Sequence, residues 1–223
     1  MRQKGERPTV RRMRFLAYAA HELRTPLATQ RALLELALAD PDADVAMWRE
    51  IGEDVLSACR QQEQLLDACL ALARGRDRLR RRESVDIAAV AGAMLRSHDQ
   101  RSLTTVAALE PARTSGDPTL VERLVANLVS NAIRHNVPDG RVEVATRTTS
   151  GRAVLSIANT GPLITPAQVP RLFRPFRTNP AAGGVGLGLT IVRAVADAHD
   201  ATVTARARAG GGLGIDVSFP ALD

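Results

Sequence analysis

The segment Ala20-His21-Glu22-Leu23-Arg24-Thr25-Pro26-Leu27 sets an imidazole beside a carboxylate and a hydroxyl four residues beyond the imidazole. Around it the pattern is helical from about Val10 to Ala39, with Leu16, Leu23, Leu27, Leu34 and Leu38 on a wide stripe and Asp40-Pro41-Asp42 as a stop. On a helix, residues i and i+4 share a face, so His21 and Thr25 look outward together while Leu23 and Leu27 point toward a core. Histidine is nucleophilic near neutral pH because its ordinary pKa of about 6.5 leaves most of it uncharged. An adjacent carboxylate can hold the proton of one ring nitrogen while the other attacks. Pro26 removes a backbone donor and can kink the helix beside the histidine. In isolation such a pair reads as a solvated helical histidine, so its meaning depends on the rest of the chain.

A second helical pattern places Ile51, Val55, Ala58, Gln62, Leu65, Cys69 and Leu72 at alternating steps of four and three, with one polar interruption at Gln62. Two such helices cannot bury both stripes alone, and a four-helix bundle formed by two chains is the economical solution. Cys59 and Cys69 are separated by about 15 Å along this helix, too far for a mutual disulfide, and read as packing residues.

Beyond Arg82 the segments shorten: a helix at 86–97, strands near 103–109 and 112–115, a helix at 118–135, strands at 141–148 and 152–158, a helix at 187–199, and strands at 201–208 and 213–219. Mixed helices and mostly antiparallel strands predict a two-layer α/β sandwich. A chain of 223 residues that is 45% apolar allows one large or two small domains with ample core. Charges break every apolar run well short of a membrane span, and the basic start lacks the apolar segment of a signal peptide. The net charge of +6 raises the possibility of a nucleic-acid partner, but the arginines are scattered and only 3% of residues are aromatic. A solvated, arginine-rich surface is the expectation, with no nucleic acid bound. The densest cluster, Arg74 to Arg82, falls in the expected connector.

Two further segments carry chemistry. Asn127, Leu128-Val129-Ser130-Asn131-Ala132 and Arg134-His135-Asn136 put Asn127, Asn131, Arg134 and His135 along one side of a helix, an amide ladder ending in cations. The series Gly184-Val185-Gly186-Leu187-Gly188-Leu189 opens a predicted helix at Leu187, where free backbone N–H groups and the helix dipole favour a phosphate and glycine permits close approach. Ile191, Val192 and Val195 give that helix a buried face.

In this order, the three segments resemble the phosphoacceptor box, the asparagine box and the last glycine box of sensor histidine kinases of two-component systems. The resemblance implies a helical dimerisation and histidine phosphotransfer domain over 1–82, forming a four-helix bundle in a homodimer. Residues 83–223 would be a catalytic domain with the ATP-binding fold shared by histidine kinases, Hsp90-type chaperones and mismatch-repair ATPases, and 162–185 would be its lid. His21 would be autophosphorylated from ATP with Mg²⁺, Glu22 acting as base or orienter, and the phosphoryl group would pass to an aspartate of a response regulator. Thr25 completes a His-Glu-x-x-Thr pattern that in the family positions water for dephosphorylating that regulator. By the same resemblance Asn131 is the Mg²⁺ ligand, Asn127 supports the site, Arg134 and His135 lie near phosphate or ribose, and Gly184, Gly186, Leu187 and Gly188 take the phosphates.

The segment Ile157-Ala158-Asn159-Thr160-Gly161-Pro162-Leu163-Ile164 departs from the family, which commonly has aspartate where Asn159 stands and glycine where Leu163 stands. The Asn159 amide oxygen can accept the adenine amino hydrogen without a charge, with Gly161 beside it, and Leu163 should stiffen the start of the lid. Phe173 and Phe176 resemble the phenylalanine box and are equally explicable as apolar pins. Family members are usually membrane-anchored, so the resemblance implies a cytoplasmic catalytic portion or a short soluble member, with no sensor region visible. The rival readings are a nucleotide-insensitive dimeric scaffold that docks a response regulator, and a chaperone-type ATPase clamp that leaves the His21 helix unexplained.

Overall fold

The computed structural model describes residues 26–74, 82–97, 103–173 and 188–222. The chain divides into two compact units, Met1–Ala73 and Arg74–Asp223. The first is a helical hairpin of α1 (26–39) and α2 (Val45–Arg74). Asp40 Oδ1 accepts from the Asp42 amide at 2.9 Å, and Asp44 Oδ1 caps α2 by accepting from the Met47 amide at 2.8 Å. The stop after α1 therefore leads directly into the start of α2.

The inward face of α1 differs from the expected leucine stripe. Gln30 and Ala37 are buried and Leu33 is half-buried, whereas Leu27, Leu34 and Leu38 are 60%, 38% and 75% exposed. A two-helix hairpin offers each helix only one neighbour, and the leucine stripe is rotated off that contact. Gln30 Nε2 donates to the Val55 carbonyl at 3.2 Å and to Cys59 Sγ at 3.4 Å, so an amide rather than a leucine sets the register against α2. The expectation that Leu27 faces a core is corrected within this hairpin. On α2, Ile51 is buried while Val55, Ala58, Cys59 and Gln62 are half-buried; Cys59 is a free thiol. Leu16 and Leu23, and the side chains of Leu65, Cys69 and Leu72, lie outside the described residues.

The second unit begins with a strand that the periodicity does not reveal, β1 (Glu83–Asp86), paired antiparallel with β3 (Arg113–Gly116) as a separate two-stranded sheet. Asp86 Oδ1 accepts from the Ala88 amide at 3.0 Å and so starts α3 (Ile87–Ser97). The main sheet is built from β2 (Thr104–Leu109), β4 (Arg141–Thr149), β5 (Arg152–Asn159), β6 (Thr202–Ala207) and β7 (Leu213–Pro220), in the order β2-β4-β5-β7-β6. Only β2 and β4 run parallel. Ser150 and Gly151, at φ 50° and 67°, make the tight turn that joins β4 to β5.

One face of this sheet is covered by helices, the two-layer arrangement expected. α4 (Pro118–Arg134) starts with Pro118 in its first turn and Asp117 as N-cap, whose carboxylate accepts from the Leu120 amide at 3.2 Å. Its apolar side, Leu124, Val125 and Leu128 among others, is fully buried with Leu155, Val217 and Phe219 of the sheet. α5 (Val169–Leu172) is a single turn, and α6 (Gly188–Ala198) packs beside α4. Among the described residues no helix is long and apolar enough to cross a membrane.

Candidate nucleotide site

With one side of α4 committed to the core, its other side carries Asn127 and Asn131, both half-buried, and ends at Arg134 and His135 on the surface. Asn127 Nδ2 donates to the Arg123 carbonyl one turn back, at 2.8 Å. Its Oδ1 is thereby turned toward the start of α6, where a Cβ on Gly188 would lie 3.2 Å away. The missing side chain at 188 lets the first turn of α6 come against the asparagine face. The first turn of α6 thus stands beside the Asn127 amide.

The His135 pKa is lowered from the usual histidine value, first by partial burial and then by the neighbouring Arg134 guanidinium. At neutral pH it is uncharged and can accept as well as donate, so Arg134 is the cation at this end of the ladder. A Mg²⁺ ion fits the donor set only in one manner. Among the described residues no group of three His, Cys, Asp or Glu could hold a metal, while the Asn131 amide offers a hard oxygen. Such an ion would share its shell between that oxygen, waters and phosphates.

Asn159 closes β5 and is 5% exposed. Its Nδ2 donates to the Thr160 carbonyl at 2.6 Å and to the His135 carbonyl at 3.3 Å. Two carbonyl acceptors demand the nitrogen on that side, which fixes the amide and leaves Oδ1 as the acceptor facing away. Gly161 is required by the same contact: a Cβ there would come within 2.6 Å of the His135 carbonyl and 3.2 Å of Asn159 Nδ2. Gly211 and Gly212, both at φ 92°, press the β6–β7 turn onto this strand, and a side chain at 212 would overlap the Asn159 carbonyl.

Two residues beside the motifs escaped the sequence reading. Thr160 Oγ1 donates to Asn136 Oδ1 and accepts from the Arg141 amide at 2.7 Å. Asn136 Nδ2 in turn donates to the carbonyls of Ala132 and Arg141, at 3.2 and 3.1 Å. This network bolts the end of α4 to the start of β4 and the end of β5, and so ties Asn131 to Asn159. The only signal was adjacency, Asn136 after His135 and Thr160 after Asn159.

Phe173 acts as a pin. The Arg193 guanidinium of α6 sits over its ring at 5.6 Å from the centroid, and its carbonyl accepts from Thr190 Oγ1 at 3.4 Å. Leu163 is 79% exposed, so any stiffening it gives comes from its backbone restriction relative to glycine and not from packing. His21, Glu22, Thr25, Phe176, Gly184, Gly186 and Leu187 lie outside the described residues. The structure thus brings together Asn127 and Gly188, and separately His135, Asn159 and Gly161, all linked through α4.

Comparison with known proteins finds two families along the chain. Residues 11–78 match the His Kinase A (phospho-acceptor) domain, and residues 116–223 match the histidine kinase-, DNA gyrase B-, and HSP90-like ATPase family. The sensor protein CutS of Streptomyces coelicolor is 40% identical over 99% of this chain and 55% of its own length. The sensor-like histidine kinase SenX3 of Mycobacterium tuberculosis is 30% identical over 93% of this chain and 53% of its own length. The chain therefore spans about half the length of the curated relatives it matches. Among solved structures, the Acinetobacter baumannii histidine kinase AdeS has the same fold over 91% of this chain and 98% of that chain, with a TM-score of 0.71 at 24% identity. The mycobacterial sensor histidine kinase MprB aligns over 63% of this chain and 98% of that chain, with a TM-score of 0.58 at 28% identity. With both domain matches in family order, on the units that carry the histidine segment and the asparagine helix, the chain belongs to the sensor histidine kinases of two-component systems.

Proposed function

We propose that this chain is the ATP-dependent kinase portion of a two-component sensor, cytoplasmic in location, with a helical phosphoacceptor part reaching to about residue 82 and a nucleotide-binding part from 83 onward. The observation that carries the reading is the approach of Gly188 to the Asn127 amide, which sets the first turn of α6 against the asparagine face of α4. ATP is the substrate: triphosphate at the start of α6, adenine amino group on Asn159 Oδ1 with Gly161 beside it, and Arg134 toward phosphate or ribose. Asn131 would hold Mg²⁺, which when bound supplies charge neutralisation on the phosphates.

One ring nitrogen of His21 attacks the γ-phosphorus in line, a new N–P bond forms, and the bond to the bridging oxygen breaks as ADP leaves. Glu22 orients the other ring nitrogen and takes up its proton. Positioning and charge neutralisation, rather than covalent help from the ATP-binding unit, supply the rate. The phosphoryl group then passes to an aspartate of a cognate response regulator, and Thr25, one helical turn beyond His21, places the water that hydrolyses this aspartyl phosphate to free aspartate and inorganic phosphate. The exposed leucines of α1 are the surface through which a second copy completes a four-helix bundle.

The test separates the parts. Asn131→Ala should abolish Mg²⁺-dependent binding of an ATP analogue in calorimetry while the helical dimer stays assembled by light scattering. Thr25→Ala should still accept phosphate at His21 but dephosphorylate the regulator much more slowly. Dissociation of the dimer in Asn131→Ala, or equal loss of both activities in Thr25→Ala, would contradict these roles.

A further inference from the structure

We propose that His199 is a positioning residue that clamps α4 to α6 and so keeps the two halves of the nucleotide site in register; the inference rests on the nucleotide reading above. His199 follows the last turn of α6 and is almost fully buried. Its two ring nitrogens face partners of opposite kind. Nδ1 lies 2.8 Å from the Val195 carbonyl, which can only accept, and Nε2 lies 3.0 Å from the Asp117 backbone nitrogen, which can only donate. Together they require one neutral tautomer, protonated at Nδ1 and bare at Nε2.

The surroundings are shaped for that ring. A Cβ on Gly116 would sit 2.6 Å from Nε2, so glycine at 116 makes room for it. Phe219 of β7 meets the ring edge-on, with centroids 6.1 Å apart. Asp117 is the N-cap of α4, so the hydrogen bond fixes the helix at its first residue. At the opposite end of α6, Gly188 lies against Asn127. The 11 residues of α6 make a rod of about 16 Å tied to α4 at both ends. A tilt of about 4° at the His199 end would displace Gly188 from Asn127 by roughly 1 Å, a misplacement that phosphate positioning does not tolerate.

Protonation at Nε2 would turn an acceptor into a donor facing the Asp117 N–H. The charged groups around the ring are Asp117 on α4, Asp200 beyond α6, and Arg82 before β1, which lies 3.7 Å from Asp200. Burial dominates over them and lowers the His199 pKa from its usual value, in keeping with the neutral clamp.

The experiment uses the full chain and three forms: parent, His199→Phe and His199→Gln, whose side-chain carbonyl can still accept from Asp117 but cannot be protonated. Calorimetry with a non-hydrolysable ATP analogue and Mg²⁺ at about pH 7.5 should give roughly tenfold weaker binding for His199→Phe and, for His199→Gln, binding within about threefold of the parent. Lowering the pH to about 5.5 should weaken the parent relative to His199→Gln, since His135 and the nucleotide titrate alike in both. In ¹⁵N spectra of the parent the ring should be protonated at Nδ1 and bare at Nε2. The opposite tautomer, unchanged binding in His199→Phe, or no recovery in His199→Gln would overturn the clamp, and should His199→Phe fail to fold, the tautomer and the His199→Gln pH comparison decide. No binding by the parent at either pH would instead overturn the nucleotide reading, a result these variants do not mimic.

Discussion

The hairpin and the sandwich treat apolar surface differently. In the sandwich the core is complete within one chain: Leu124, Leu128, Leu155, Val217 and Phe219 are all essentially sealed from water. In the hairpin the buried apolar side chains among the described residues are Ala37 and Ile51, while Leu27, Leu36, Leu38, Val45 and Leu56 stand in solvent. A sheet covered by α3, α4 and α6 closes its own core, whereas two helices have one shared seam and leave a stripe unpaired. The described part of the first unit therefore leaves apolar surface uncovered, whereas the second closes its own core.

The largest expected effect falls on the hairpin. A Leu27→Glu, Leu34→Glu double variant should shift the chain from dimer to monomer by light scattering while nucleotide binding persists. A dimer that survives would show that these leucines do not form the interface. In the sandwich, Leu124→Ala should destabilise by about 2–5 kcal/mol in denaturant unfolding, because the site is closed on all sides and collapses poorly. A loss under about 1 kcal/mol would mean the core is looser than the burial implies.

Asn159 sharpens the comparison within the sandwich. Asn159→Ala should weaken binding of an ATP analogue by about 1–3 kcal/mol and reduce preference for adenine over guanine. Restoring the family's acid with Asn159→Asp should also lower stability, since a carboxylate would face the Thr160 and His135 carbonyls and lose both donated bonds. Tighter binding without any loss in melting temperature would refute the locked amide.

Two described histidines of the sandwich should make its stability depend on pH. The folded-state pKa values of His199 and His135 are both lowered, so between those values and about 6.5 the unfolded chain binds more protons than the folded one. Their contribution is fully present above about pH 6.5 and is lost as pH falls through the folded values. Thermal melts should show the sandwich transition dropping below that pH, and His199→Gln should blunt the drop. A transition that rises on acidification would reverse the assignment. The smallest effect is at Asp200, left-handed at φ 54°. Asp200→Gly should stabilise by no more than about 1 kcal/mol, relief of the backbone being offset by loss of a half-exposed pair with Arg82. A loss of more than about 2 kcal/mol would make that pair an anchor.

What could be read in advance follows the range of the interaction. The strands β4 and β5 and the helices α4 and α6 stand within a residue or two of their expected limits, because alternation and helical period are local properties. β1 escaped because four residues with one buried valine carry no period, and its pairing with β3 spans the length of α3 and β2. On α1 the leucine stripe announces burial but not by whom, and within the hairpin Gln30 and Ala37 take the seam instead. At the site, Asn127 and Gly188 were legible as motifs. Asn136, Thr160, Gly212 and His199 were not, since their roles lie in contacts between distant segments that no spacing encodes.

In the proposed reaction His21 accepts the phosphoryl group of ATP held by the second unit. Incubating the full chain and its His21→Gln variant with γ-labelled ATP and Mg²⁺ tests it directly. The parent should carry acid-labile, base-stable label and the variant none, with ATP-analogue binding equal in both. Label persisting on His21→Gln, or a parent that binds the analogue yet takes no label, would contradict it.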